Sequence, residues 1–106
     1  MDIRDLHRWH VSYEKAMSLQ EELASQVELC PLPDDVSVVA GADAAFSRKA
    51  DRCFAAVVVM EFPGAEIIEQ HTAVLPTGFP YIPGLLSFRE GEVVLEAFRE
   101  VECVPD

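Results

Sequence analysis

The segment Cys53–Met60 constrains the fold of this chain more than any other feature of the sequence. It reads CFAAVVVM and carries no charge, and it lies between a polar turn at 47–52 and the breaker Phe62-Pro63-Gly64. A run of this length that is rich in Val and bounded by turn residues predicts a β-strand buried on both faces. Such a strand needs neighbours beside it and cover on both sides of its sheet.

Two more strands are predicted beside this one. The segment Val36–Phe46, VSVVAGADAAF, is β-rich at its start and small throughout, which again predicts a strand covered on both faces. The segment 65–75 has a more mixed pattern that begins with Ile67 and Ile68, and it predicts a third strand. Because the connections between the three are short, we expect an antiparallel meander.

A helix is predicted on each side of the meander. Ser12 is a suitable N-cap for an amphipathic helix that continues to about Leu29. Its apolar stripe consists of Ala16, Leu19, Leu23 and Val27. The second helix is predicted from Leu85 to Glu100, and Ser87-Phe88-Arg89-Glu90 has the spacing of a capping box. Gly91 weakens this helix by up to about 1 kcal/mol.

The expected fold class is therefore α+β, with an N-terminal helix, a three-stranded antiparallel meander and a second helix. The two helices can cover one face of the sheet, yet strands this apolar do not leave their other face in water. We therefore expect a missing component, which is a partner chain, a second copy or the rest of a longer protein.

Length and charge limit the function classes. The chain has 106 residues, which allows one compact domain, and its net charge of −11 argues against a simple electrostatic grip on nucleic acid. No apolar run is long enough for a membrane span, and the polar start does not resemble a secretory leader, so we expect a cytoplasmic protein. The spacing of Cys30, Cys53 and Cys103 fits neither a disulfide framework nor a zinc site and predicts apolar fillers.

Asp43 is the first candidate site residue, because it lies in an otherwise uncharged strand, where burial of an unpaired carboxylate costs several kcal/mol. Strand alternation gives it small neighbours on its own face at Val39, Gly41 and Ala45. Two interpretations are open: the carboxylate caps a turn or a neighbouring helix, or it is a metal ligand.

Glu90 offers a second carboxylate at the beginning of the second helix. The capping box alone would explain a Glu at this position. The alternative is that Glu90 and Asp43 meet at one end of the sheet, where two hard oxygen ligands would suit Mg²⁺.

The loop Pro76–Gly84, PTGFPYIPG, contains three prolines and two glycines, which excludes regular structure. Its centre, Phe79-Pro80-Tyr81-Ile82-Pro83, predicts a stiff apolar tip of the kind that wedges between stacked bases. The competing interpretation is an ordinary loop that places Tyr81 and Ile82 in the core. No role is assigned to the histidines His7, His10 and His71, which lack the spacing of metal ligands.

Three motifs together resemble the N-terminal half of the endonuclease V family. They are the opening LHRWH, GADAAF at Gly41–Phe46 and FPYIPGLLSFREG at Phe79–Gly91, and the resemblance covers essentially the whole chain. It implies an RNase H-like fold in a single domain, of which residues 1–106 are the N-terminal portion and the C-terminal half is absent.

The resemblance also implies a DNA repair endonuclease that acts on deoxyinosine-containing nucleic acid. Members hydrolyse the second phosphodiester bond on the 3′ side of the lesion with Mg²⁺, for which Mn²⁺ can substitute, and they leave 3′-hydroxyl and 5′-phosphate ends. By this resemblance Asp43 and Glu90 are the catalytic carboxylates that bind the metal. Tyr81, with Pro80, Ile82 and Pro83, forms the wedge that contacts the nucleic acid.

The sequence ends before the family's next strand, which carries Asp-Gly-His-Gly or Asp-Gly-Gln-Gly with a further metal-binding Asp. The expected partner is inosine-containing DNA, with RNA as an open alternative, and no membrane. We expect the 106-residue chain alone to be inactive. The rival hypothesis is an incomplete fragment that serves as a binding or self-associating module, because unpaired sheet edges invite oligomerisation.

Overall fold

The computed structural model describes all 106 residues, Met1–Asp106. The predicted order of helix, three strands and helix is confirmed. The elements are α1 (Tyr13–Ala24), β1 (Val38–Ser47), β2 (Arg52–Glu61), β3 (Ile67–Pro76) and α2 (Leu86–Arg99). The strands form one antiparallel sheet in the order β1-β2-β3, so β2 is central and β1 has a free edge.

One face of the sheet packs against α2 and forms the main core. Alternate residues of β2 are buried there, and Val57 and Val59 are fully enclosed. They meet Val93 and Ala97 of α2 and Val101 just beyond it. Full burial of a Val side chain stabilises the fold by about 1.5–3 kcal/mol, so this layer is what holds α2 on the sheet.

The opposite face of the sheet is open, which corrects the expectation that the first two strands are covered on both faces. On β2 and β3, Phe54 is 38% exposed and Val74 is 47% exposed on this side. The two helices also do not share the sheet face between them. Ala16 of α1 is buried in a second cluster with Phe79, Leu85 and Phe88, beside the start of α2.

The first helix is shorter than predicted. Ser12 is the N-cap as expected, because its side chain accepts a hydrogen bond from the Lys15 N–H. The helix ends at Ala24 rather than near Leu29, and the Ser25 hydroxyl donates to the carbonyl of Glu22 (2.6 Å). Val27, predicted to continue the apolar stripe, is 71% exposed. With nothing to pack against, the last predicted turn gains no tertiary stabilisation.

The predicted capping box on α2 is wrong. The N-cap is Leu85, which makes no side-chain capping hydrogen bond, and Ser87 already lies inside the helix. Leu85 is fully buried, so apolar packing rather than a polar cap starts this helix. Gly91 has a packing reason: a Cβ atom at this position would overlap the indole ring of Trp9.

One smaller prediction is wrong, and one histidine has a contact that the sequence did not predict. Cys53 is buried, but Cys30 is exposed and is therefore no core filler. His71, to which no role is assigned from the sequence, donates from Nε2 to Glu69 (2.7 Å), and both side chains are partly buried. None of the helices is both long enough and apolar enough to span a membrane.

Candidate functional site

Asp43 lies on β1 directly opposite Ala56 of β2. Cross-strand partners share a face, and the next residue of β2, Val57, is in the core, so Asp43 belongs to the open face of the sheet. Its neighbours on that face are small, as predicted, with Gly41 and Ala45 on either side. Asp43 borders an open groove of about 420 Å³ that is otherwise almost entirely apolar.

The Asp43 carboxylate reaches the free edge of β1. Alternate residues of a paired edge strand direct their backbone N–H and C=O groups away from the partner strand. Val38 does so, because both its N–H and its carbonyl bond to Asp106. Ala44 lies an even number of residues after Val38, so its N–H also points away from β2. This N–H donates to Oδ1 of Asp43 (2.8 Å), which places the carboxylate at the free edge.

Asp43 has no other hydrogen bond and no ion pair, and its side chain is exposed. It therefore caps neither a turn nor a helix. The desolvation cost considered for a buried carboxylate does not apply here, because water reaches this group. Most of its lone pairs are free to accept a further donor or to coordinate a cation.

Glu90 lies half-buried in α2, without a hydrogen-bond or ion-pair partner. Val94 and Phe98, one and two turns further along α2, pack against the core. Residues at this spacing share a helix face, so Glu90 belongs to the face that is turned towards the sheet. Because α2 has no capping box, a capping role does not explain the glutamate at position 90.

Asp43 thus lies on the open face of the sheet at the edge of β1, whereas Glu90 lies on the helix that packs against the opposite face. No group of three or more metal-ligating side chains is present in the chain. The two carboxylates offer hard oxygen donors with unengaged lone pairs, a donor set that suits Mg²⁺. That both bind one ion stays a prediction.

The loop between β3 and α2 holds its tip away from the core. Phe79 and Leu85 are buried at its two ends, while Tyr81 is 66% exposed. Ile82 is partly buried against the same cluster, so the interpretation as an ordinary loop holds for Ile82 and fails for Tyr81. Pro80 and Pro83 are exposed beside Tyr81.

Arg89 is a residue of this region that the sequence reasoning missed. Its guanidinium lies 4.0 Å from the ring centroid of Phe46 at the end of β1, and 5.5 Å from that of Tyr81. Its Nε is buried without a hydrogen-bond partner. Arg89 thus connects the strand of Asp43 with the loop of Tyr81. The feature of the sequence that could have drawn attention to Arg89 is its position next to Glu90.

The sequence model of the endonuclease V family matches residues 21–106. Endonuclease V of Dehalococcoides mccartyi is 42% identical over 104 residues, which cover 98% of this chain and 47% of that protein. The chain spans about half the length of the curated relatives it matches.

Solved structures agree with this match. Endonuclease V from Streptomyces avermitilis is 36% identical, with a TM-score of 0.83 over 92% of this chain and 43% of that one. Endonuclease V from Ciona intestinalis, in complex with a 24mer DNA containing an inosine followed by a ribo-adenosine, is 23% identical, with a TM-score of 0.72. It covers 81% of this chain and 38% of that one. The chain belongs to the endonuclease V family, and its helix, antiparallel meander and helix are part of an RNase H-like fold.

Proposed function

We propose that this chain is the N-terminal portion of a single-domain DNA repair endonuclease that hydrolyses deoxyinosine-containing DNA with Mg²⁺. The observation that carries the proposal is the exposed Asp43 carboxylate, which lacks a cationic partner and borders an almost entirely apolar groove in an endonuclease V family member. Cleavage at the second phosphodiester bond on the 3′ side of the lesion follows the family resemblance.

In this proposal Asp43 and Glu90 hold the metal. A bound Mg²⁺ would stabilise charge on the phosphate and lower the pKa of a water nucleophile, and Mn²⁺ could replace it. The protein's own contribution is to hold two carboxylates on rigid elements, a paired strand and a helix packed on the core. No Lys or Arg pairs with either carboxylate, so both stay available to a cation.

Tyr81 leads the contact with the nucleic acid. An enzyme that acts beside an altered base has to separate that base from its stack, and an apolar side chain on a stiff loop offsets part of the unstacking cost. The exposed ring of Tyr81, flanked by Pro80, Ile82 and Pro83, suits this role. The Ciona relative in complex with inosine-containing DNA supports DNA as the substrate, and inosine-containing RNA is the alternative.

The net charge of −11 opposes DNA binding by this chain alone. Because the relatives are about twice as long, we propose that a C-terminal half supplies basic residues and a further metal-binding Asp. The 106-residue chain by itself is then inactive.

The test is cleavage of a deoxyinosine duplex by the full gene product in the presence of Mg²⁺. Asp43→Asn and Glu90→Gln should each reduce the rate by about 10²-fold or more, the scale for loss of a group that stabilises transition-state charge. Asp34→Asn, in the exposed connector after α1, is the matched control and should keep wild-type activity. Unchanged cutting by Asp43→Asn would remove this residue from the mechanism.

A second candidate is a non-catalytic binding or self-associating module, which the open apolar sheet face favours. The same experiment separates the two candidates, if light scattering of the 106-residue chain is added to it. A full gene product that never cuts deoxyinosine DNA, together with a discrete oligomer of the 106-residue chain, would favour the module.

A further inference from the structure

The N-terminal segment Leu6–His10 lies outside the residues matched by the family model, and the proposed function leaves it without a role. Its last two residues are nevertheless packed against the two elements that carry Tyr81 and Glu90. Each of them covers a glycine.

His10 covers Gly78, close to the base of the loop that carries Tyr81. A Cβ atom on Gly78 would overlap the His10 ring and lie 2.7 Å from its Nδ1. The other ring nitrogen, Nε2, bonds to a carboxylate oxygen of Glu92 on α2 (3.1 Å). One imidazole ring thus connects the loop with the helix.

Trp9 covers Gly91, the residue directly after Glu90. A Cβ atom on Gly91 would overlap the indole ring. The ring is held from behind by Phe88, at a centroid distance of 5.8 Å, and by His7, at 4.6 Å. Phe88 in turn contacts Phe79, the buried residue next to Gly78 in the loop, at 5.6 Å.

The loop and the helix are therefore joined through consecutive residues of a third segment. We propose that Trp9 and His10 are positioning residues, which hold the loop of Tyr81 at a set distance from the helix of Glu90. This inference rests on the proposed function for its catalytic consequence. A duplex has to contact the loop and the metal-binding helix at the same time, so a change in the distance between these two elements would weaken binding of the duplex.

Packing rather than charge is the basis of this role. The His10 side chain is 61% exposed and that of Glu92 is 40% exposed, and a solvent-accessible ion pair of this kind contributes little. The steric contact between the ring and Gly78 does not depend on protonation. A ring without charge at position 10 should therefore serve nearly as well.

The experiment is a double-mutant cycle on His10→Ala and Gly78→Ala in the full gene product. Gly78→Ala alone displaces the imidazole ring, whereas in the His10→Ala background the added methyl group has room. We expect each single variant to raise KM for a deoxyinosine duplex roughly tenfold with little change in kcat, since small misplacements of a binding group have effects of this size. The double variant should be no worse than either single one.

The control cycle pairs His10→Ala with Gly64→Ala, because a Cβ atom on Gly64 meets nothing within 4 Å. These two effects should add. His10→Phe keeps a ring over Gly78 and should restore a KM within about twofold of wild type, because the lost pair is exposed.

Hydrogen exchange gives a readout that does not need activity. The Thr77 and Leu85 amides mark the two ends of the loop, since they donate to Asp51 (2.9 Å) and Ile82 (3.0 Å). His10→Ala should speed exchange at Leu85, and His10→Phe should not. If the effects of His10→Ala and Gly78→Ala on hydrogen exchange are not additive but the full gene product cuts no deoxyinosine DNA, the proposed function fails and the positioning role stands. Additive effects of His10→Ala and Gly78→Ala on both KM and exchange would overturn the positioning role, as would a failure of His10→Phe to restore either.

Discussion

At the scale of single residues, Glu69 shows how a charged side chain is satisfied on the packed face of the sheet, where it lies opposite Val59. Its carboxylate accepts hydrogen bonds from Nε2 of His71 and from the backbone N–H groups of Glu102 and Cys103. It thereby fastens the segment after α2 to β3. The hydrogen bond from His71, and then that from the Cys103 amide, hold the pKa of Glu69 below its ordinary value.

This lowered pKa predicts a loss of stability in acid. The folded state binds the Glu69 proton less readily than the unfolded state does, so the stabilisation is present above the ordinary pKa of about 4.5. It is lost as the pH falls through the lower pKa of the folded protein. Glu69→Gln should therefore flatten the decline in unfolding free energy between pH 5 and pH 3, measured by urea denaturation.

Glu66→Gln is the control for this experiment, because Glu66 is exposed and its side chain has no hydrogen-bond partner. It should keep the decline of the wild type. A Glu69→Gln variant with the same acid profile as the Glu66→Gln variant would contradict the assignment.

At the scale of elements, the two helices begin by different means. The first begins at Ser12, whose hydroxyl satisfies the Lys15 N–H (3.2 Å). The second begins at Leu85, which is buried between Ala16, Phe79 and Phe88 and offers no polar cap. A serine near a helix start is therefore insufficient evidence for a cap. In α2 the packing of Leu85, and not the position of a serine, decides which residue is the N-cap.

A matched pair of serine substitutions tests this difference. Ser12→Ala should lower the unfolding free energy by about 1 kcal/mol, the usual effect of removing an N-cap hydroxyl. Ser87→Ala should change it by no more than about 0.5 kcal/mol, since Ser87 lies inside the helix, is exposed and makes no capping bond. Thermal or urea unfolding measures both, and equal losses would restore the capping box.

At the scale of the whole molecule, the fold has one packed side. The core between β2 and α2 is closed, while the other face of the same strand lies open around Phe54 and Val74. The open face lies beside Asp43, so the region proposed for chemistry borders the region without cover. Neighbouring valines on β2 provide a direct comparison of the two sides.

Val57→Ala should destabilise the chain by about 2 kcal/mol, which combines the lost transfer free energy of the methyl groups with a cavity term. Val58→Ala should cost less than about 1 kcal/mol, because this side chain is on the open face and only partly buried. The same change in strand propensity applies to both, so it cancels in the difference. Equal losses in urea unfolding would mean that the open face is covered in solution.

The sequence determined the parts that depend on local chemistry. Apolar runs between turn residues located the three strands to within two residues at each end, and Ser12 located the start of α1. Motifs that join special residues, GADAAF and FPYIPGLLSFREG, indicated the family. They also identified Asp43, Glu90 and Tyr81 as the residues to examine, since charge in an apolar strand and proline around an aromatic residue are visible without coordinates.

The tertiary structure decided what those residues face. It ended α1 at Ala24, because Val27 finds nothing to pack against, and it placed Asp43 in solvent at a free edge rather than in a core. It also brought Trp9 and His10 onto Gly91 and Gly78. Periodicity shows which side chains share a face, but which surface that face meets depends on contacts between residues far apart in the chain.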